Sequence, residues 1–254
     1  MDRGITKLLS KTATIGFSVL GIAFIVLNQI IDVKYTLIFI PLLFLCFFAL
    51  VIILFIANHR KRAHRREDMK GLARTLGWNY AEATELPLLR QFGANFGSSQ
   101  MFKGTTQNFI NGAVNGRPVA VFDQEYTTGS GENRSTYTQT VFLIEIREAQ
   151  FPLFCLEPES FSDRLFDLLG KCDIDFPSHP HFSQKYQLYG RDENHIRYFF
   201  TPAILDFYEQ TPLFTTVAGS RFLLIYEFNR LFNTGEIEPQ INFLLYLADV
   251  FRRR

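Results

Sequence analysis

The hydrophobic pattern divides the chain into two regimes. From Thr12 to Ile31, and again from Thr36 to Ala57, no residue is charged and apolar side chains fall on every helical face. At ~1.5 Å per residue each run makes a helix of ~30 Å, the thickness of a bilayer's hydrocarbon core. Soluble helices keep a polar face, so both runs predict transmembrane helices. Pro41 falls in the first turns of the second run, where a missing N–H does least harm. From Asp68 onward the pattern breaks into short periodic segments bounded by turn residues.

The link between the apolar runs is Asp32–Tyr35, short enough to predict an antiparallel transmembrane hairpin. Flanking Lys and Arg set orientation. Arg3, Lys7 and Lys11 precede the first run, and Arg60, Lys61, Arg62, Arg65 and Arg66 follow the second, against Lys34 alone in the link. Both termini are therefore expected in the cytoplasm of a multi-pass inner-membrane protein. The expected order is a cytoplasmic segment (1–11), the hairpin (12–31 and 36–57), a basic collar (58–67) and a cytosolic domain (68–254). The first run is too long for the apolar core of a signal peptide and lacks a small-x-small cleavage pattern, so it is expected to be retained.

Beyond the collar, Met69, Leu72, Ala73 and Leu76 share a helical face that Gly77 ends, and Leu86–Phe92 reads as a second short helix. The period then changes to that of strands. Asn108–Ala113 and Arg117–Gln124 flank Asn115-Gly116, a hairpin signal. Ser135–Glu148 alternates throughout, Leu153–Leu156 predicts another strand, and Phe214–Ala218 with Arg221–Phe228 predicts a second hairpin. Helices are expected over Ser160–Leu169, from Asp192 or Glu193 to Phe200, from Thr201-Pro202 to Glu209, and from Glu236–Pro239 to the C-terminus. Strands cluster rather than alternate with helices, so the class is α+β with a mainly antiparallel sheet.

Charge narrows the function. There are 26 Lys+Arg against 25 Asp+Glu, and the basic excess lies in the collar and at Arg252–Arg254. A general nucleic-acid binder carries a larger excess, so no nucleic-acid partner is expected. The collar residues Arg60, Lys61, Arg62, Arg65 and Arg66 are candidates for contact with anionic lipid head groups, each contributing ~1 kcal/mol near a charged leaflet. Cys46, Cys155 and Cys172 have no metal-type spacing and are expected as free thiols.

The domain resembles an uncharacterised group of bacterial membrane proteins that carry a domain of unknown function. The likeness runs from Leu72-Ala-Arg-Thr-Leu-Gly-Trp78 through Val121-Phe-Asp-Gln-Glu-Tyr126, Phe154-Cys-Leu-Glu-Pro-Glu159, Asp173-Ile-Asp-Phe176 and Phe182-Ser-Gln-Lys-Tyr-Gln-Leu188 to Arg197-Tyr-Phe-Phe200. It implies a membrane protein and no particular activity.

Four groups of residues could carry chemistry. Asp173, Asp175, His179 and His181 offer carboxylate and imidazole ligands, with Pro177 and Pro180 stiffening their loop, as a zinc-type site needs. Asp123 and Glu125 would share a strand face as paired carboxylates. Cys155 lies in an apolar strand, and Tyr186, Tyr189, Tyr198, Phe199, Phe200, Phe207 and Tyr208 form an aromatic cluster suited to core packing. No motif calls for a cofactor. The expected function is a membrane-anchored cytosolic module that binds lipid head groups, a protein partner or a second copy of itself. The alternative is a membrane-tethered, metal-dependent hydrolase using the Asp173–His181 segment.

Overall fold

The computed structural model describes Ser18, Ile22 and residues 33–95, 100–131, 134–159 and 173–252. The predicted first transmembrane run, the Ser160–Leu169 helix, Cys172 and the end of the basic tail lie outside the described residues, apart from Ser18 and Ile22, which are helical. The chain forms two compact units, Met1–Arg65 and Arg66–Arg254.

The first long helix, α1, spans Val33–Leu76, 44 residues and about 66 Å at the helical rise. It begins inside the predicted Asp32–Tyr35 link, so Val33, Lys34 and Tyr35 form its first turn. It also runs through the collar without a break. Arg, Lys, Ala, Glu, Met and Leu are strong helix formers, and they make up 13 of the 17 residues of Arg60–Leu76. Between Pro41 and Leu76 an 18-residue window reaches a hydropathy of 2.7 with none of it buried. Leu45, Phe48 and Ile53 are all more than half exposed. This candidate membrane-spanning helix marks the protein as membrane-associated. Gly77 ends α1 with a left-handed φ of +68°. The Trp78 N–H reaches Ala73 O at 2.8 Å and the Gly77 N–H reaches Arg74 O at 3.2 Å, a glycine-stopped C-terminus.

The second unit is α+β, as the patterning predicts. Among the described residues eight strands form one sheet, β1 (Asn79–Thr84), β2 (Thr105–Val114), β3 (Arg117–Thr128), β4 (Ser135–Glu145), β5 (Phe151–Pro158), β6 (Tyr186–Gly190), β7 (Thr215–Ser220) and β8 (Phe222–Tyr226). Their order is β1-β2-β3-β4-β8-β7-β5-β6, antiparallel at every junction. The β2–β3 turn is the predicted one: Asn115 and Gly116 have φ of 52° and 76°, as the two-residue turn matching strand twist requires. The β7–β8 hairpin slots between β4 and β5. The sequence shows neither edge strand. Asn79-Tyr-Ala-Glu-Ala-Thr84 lacks apolar alternation, and Tyr186-Gln-Leu-Tyr-Gly190 is only five residues long.

The remaining helices are α2 (Pro87–Asn95), α3 (Pro180–Lys185), α4 (Glu193–Phe199), α5 (Pro202–Gln210) and α6 (Thr234–Arg252). Asp192 caps α4 by accepting the His195 N–H at 3.0 Å. Thr201, which precedes α5, makes no side-chain cap bond; its carbonyl accepts the Ile204 and Leu205 N–H groups. The His179–His181 segment, read as irregular, opens α3, with Pro180 at its start.

Two apolar clusters lie on opposite faces of the sheet. The larger joins Met69 and Ala73 of α1, Val121, Phe142, Phe154 and Leu223 of the sheet, and Phe199, Tyr208, Leu244 and Phe251 of the helices. Most of the predicted aromatic cluster is core here: Tyr186, Phe199, Phe200 and Tyr208 are buried, whereas Tyr198 is 80% exposed. The smaller cluster holds Leu89 and Phe92 of α2 with Phe122, Val141, Cys155, Val217 and Leu224. α2 lies on this second face.

Candidate functional site

Polar side chains are buried on both faces, and the two sets differ in how they are used. On the helix-covered face, Asp123 is 4% exposed and sits in a closed hydrogen-bond chain. Asn108 Nδ2 donates to Asp123 Oδ2 at 3.0 Å and Thr140 Oγ1 donates to Asp123 Oδ1 at 3.0 Å. Tyr80 Oη donates to Asn108 Oδ1 at 3.2 Å, and the Phe232 N–H donates to Thr140 Oγ1 at 3.1 Å. Asn108 takes φ +51° at a register shift of β2, the local distortion that aims its amide at Asp123. Asp123 thus ties β2, β3, β4 and the approach to α6 together. Its predicted partner Glu125 is only half-buried.

The second face carries a different set. Strand alternation puts Tyr126 (β3), Gln139 (β4), Tyr226 (β8), Thr215 (β7) and Glu157 (β5) on it together. The pairings place Thr215 opposite Tyr226, and Glu157 continues the same cross-strand row from the Leu156–Thr216 pair. Among the described residues, six buried side-chain polar atoms lack a hydrogen-bond partner. Five of them are here: Tyr126 Oη, Gln139 Nε2, both Glu157 carboxyl oxygens and Tyr226 Oη. Thr215 stands beside the Tyr226 hydroxyl without completing a hydrogen bond of normal geometry. Burial pushes the Glu157 carboxyl well above the ordinary carboxylate range. It pushes the Tyr126 and Tyr226 phenols up as well, with the neighbouring Glu157 adding to the rise. Sequence alternation carries the signal for this site, since Cys155 and Glu157 must share a face. What hid it is that a glutamate near a strand end reads as solvent-facing.

A cleft of about 980 Å³ opens beside this face, between α2, the end of β1 and the start of β2. Leu86, Leu89 and Phe102 give it apolar walls, and Arg90, Lys103 and Thr106 add polar ones. Gly104 forms part of the wall because no larger residue fits. A Cβ there would stand 2.3 Å from the Glu125 carbonyl oxygen and 2.9 Å from Tyr126 Cβ. The volume falls within the range of small-molecule sites. A smaller cavity of about 260 Å³ lies on the other face, among Phe142, Phe214, Phe232 and Phe243.

The Asp173–His181 residues are each engaged separately. Asp173 Oδ1 accepts the Leu188 N–H at 2.7 Å, and partial burial raises its carboxyl to about 6. Asp175 is exposed, and its carbonyl accepts Arg197 Nη1 at 2.6 Å. His179 faces Asp206 at 3.4 Å through Nε2 and Ser178 Oγ at 2.9 Å through Nδ1, and His181 is exposed. Among the described residues no three His, Cys, Asp or Glu side chains come together in a metal-binding group. The four side chains therefore do not assemble the predicted ligand set: α3 and β6 take His179 and Asp173 into separate local bonds. In the collar, Arg66 pairs with Glu82 of β1 at 2.7 Å, while Arg60 and Lys61 are exposed. Cys155 is buried in β5.

No protein-family model matches the chain. No curated protein matches it either. Among solved structures it is similar to the crystal structure of the mycobacterial trehalose monomycolate transport factor A, TtfA. The TM-score is 0.51 at 13% sequence identity, over 74% of this chain and 94% of that one. At that identity the likeness is one of fold.

Proposed function

We propose that this is a membrane-anchored binding module whose basic collar engages anionic lipid head groups and whose α+β domain faces the cytosol. One observation carries the proposal: the uncovered apolar stretch of α1 runs without a helix break into Arg60, Lys61 and Arg62. A helix leaving hydrocarbon with three adjacent cations places them at head-group depth, where each gains ~1 kcal/mol against an anionic leaflet. With the first apolar run as a second span, the protein is multi-pass in the inner membrane with both termini cytoplasmic. Moving Arg60–Arg66 through the bilayer would instead cost ~2.5–3.5 kcal/mol per charge.

Lipid analysis of the full chain, extracted after reconstitution in mixed phosphatidylcholine and phosphatidylglycerol, tests the collar. Phosphatidylglycerol should be enriched, and Arg60→Gln with Lys61→Gln should weaken the enrichment about fivefold per charge removed. No enrichment, together with a protein partner that co-purifies in mild detergent, would favour a scaffolding role over head-group binding. Alkaline phosphatase fused after Arg254 should be inactive, and a fluorescent protein there should fluoresce; an active phosphatase overturns the topology.

A further inference from the structure

We propose that the cleft beside α2 is a binding site for a long-chain carboxylate, an acyl chain with an anionic head. Its lining is apolar where it is deepest. Leu89 and Phe102 are buried there, Leu86 is half-buried, and Ala83 and Ala94 are exposed at the sides. The buried polar side chains beneath are already spent on one another. Thr106 Oγ1 donates to Gln124 Oε1 at 2.8 Å, and Gln124 Nε2 donates to Met101 O at 2.9 Å. Such a lining gives ordered water few bonds and gains from burying hydrocarbon. The walls are also set in advance. A Cβ on Gly93 would stand 3.0 Å from Phe102 Cβ, so α2 packs directly on the short turn Gln100–Lys103. The Phe92 and Phe102 rings stack across that contact with centroids 6.0 Å apart. A preformed apolar cleft with a few polar groups at its edge is the usual form of a small-molecule site.

The mouth selects the charge. Arg90 and Lys103 line the cleft as cations, against Glu85 as an acid. All three are exposed, so a bound head group keeps its contact with water and no charge is buried. Glu85 holds Arg90 at 2.8 Å, but both side chains are more than 70% exposed, and such pairs contribute little. Among the described residues Lys103 makes no ion pair. A carboxylate can therefore pair with Lys103 and take the place of Glu85 on the Arg90 guanidinium, whose planar fork fits two carboxylate oxygens. An uncharged head gains neither contact. The chain is membrane-associated, so single-chain amphiphiles dissolved in the bilayer are the supply. The cleft uses no collar residue, so it stands or falls apart from the head-group proposal.

The test uses the full chain in phosphatidylcholine nanodiscs, with palmitate carrying a photoreactive diazirine on its chain. Crosslinks are mapped by mass spectrometry at mildly alkaline pH, where the carboxylate is ionised. Adducts should fall on α2 and on residues 102–106, besides those that α1 makes within the bilayer. Unlabelled palmitate should displace the cleft adducts. Hexadecanol, the same chain with an uncharged head, should compete about tenfold more weakly, the worth of one hydrogen bond to a charged group. That comparison needs no variant. Ala94→Trp, at an exposed helix position, should fill the cleft and remove its adducts while leaving those of α1 unchanged. Arg90→Gln with Lys103→Gln should make the two competitors equal. No adducts in the cleft, cleft adducts that persist in Ala94→Trp, or equal competition by palmitate and hexadecanol in the native protein would each overturn the carboxylate site.

Discussion

The two faces of the sheet bury polar groups in opposite ways. On the helix-covered face, Asp123 accepts from Asn108 and Thr140, Asn108 accepts from Tyr80, and Thr140 accepts from the Phe232 N–H. On the second face, Glu157, Tyr126 and Tyr226 lie unbonded on the side that holds Val217, Leu224 and Cys155. Both acids are almost wholly removed from water, so burial alone does not distinguish them. Satisfaction does. A closed network fixes the register of strands and is structural. An open one leaves hydrogen-bonding capacity unmet at a cost of ~1–3 kcal/mol per group.

This comparison predicts different responses to substitution, measured as unfolding of the full chain in detergent. The largest belongs to the helix-covered core. The Phe154 ring lies 5.0 Å from Phe200, 5.8 Å from Phe199 and 6.1 Å from Phe251, centroid to centroid. Phe154→Ala should cost about 4 kcal/mol, as large aromatic truncations in cores do; a loss below about 1 kcal/mol would mean that this face is not the main core. Next comes Asp123→Ala, which strands Asn108 and Thr140 and should cost about 3 kcal/mol.

Glu157→Gln should behave differently from Asp123→Ala despite equal burial, changing stability at neutral pH by less than about 1 kcal/mol, because no bond is lost. Its larger effect is on pH dependence. A carboxyl raised in the folded state makes the folded protein bind more protons than the unfolded chain, so stability is greatest at acidic pH. Stability then falls as pH rises above the ordinary carboxylate range toward the raised folded value. Glu157→Gln should flatten that fall, and an unchanged pH profile would place the carboxyl in a polar environment.

The smallest effect is expected at Asp173, half-buried and bonded to the Leu188 N–H. Its carboxyl moves from 3.8 to about 6, so the same sign applies and native stability should decline modestly between about pH 4 and 6. Asp173→Asn, which keeps an acceptor for Leu188, should remove the decline without adding a metal-dependent phenotype. A metal-stabilised melt abolished by this variant would restore the ligand set that the structure leaves apart.

Strong local periodicity made much of this protein legible. The apolar run through Phe55 announced a membrane helix because no soluble packing needs every face apolar. Asn115-Gly116 announced its hairpin because two consecutive positive φ values suit few other residues. The α6 stripe of Ile241, Leu244, Leu245, Ala248 and Phe251 was legible for the same reason and is buried as expected. The edge strands β1 and β6 were not legible. Each has one hydrogen-bonded neighbour, so neither needs the two-sided apolar pattern that betrays a central strand. The aspartate–histidine group is close in sequence, yet the fold takes its members apart: Asp173 bonds the Leu188 N–H and His179 faces Asp206.

What the sequence determined by itself is the class and the anchor: an apolar helix, a basic collar and clustered strands, each written in the periodicity of neighbouring residues. The continuation of α1 through the collar was legible too, since strong helix formers make up most of Arg60–Leu76. Only the tertiary structure decided the order of the strands, which slots the β7–β8 hairpin between β4 and β5 and sets Glu157, Thr215 and Tyr226 in one cross-strand row. A strand's alternation states which residues share a face. The pairing of strands distant in sequence determines which of those residues are neighbours.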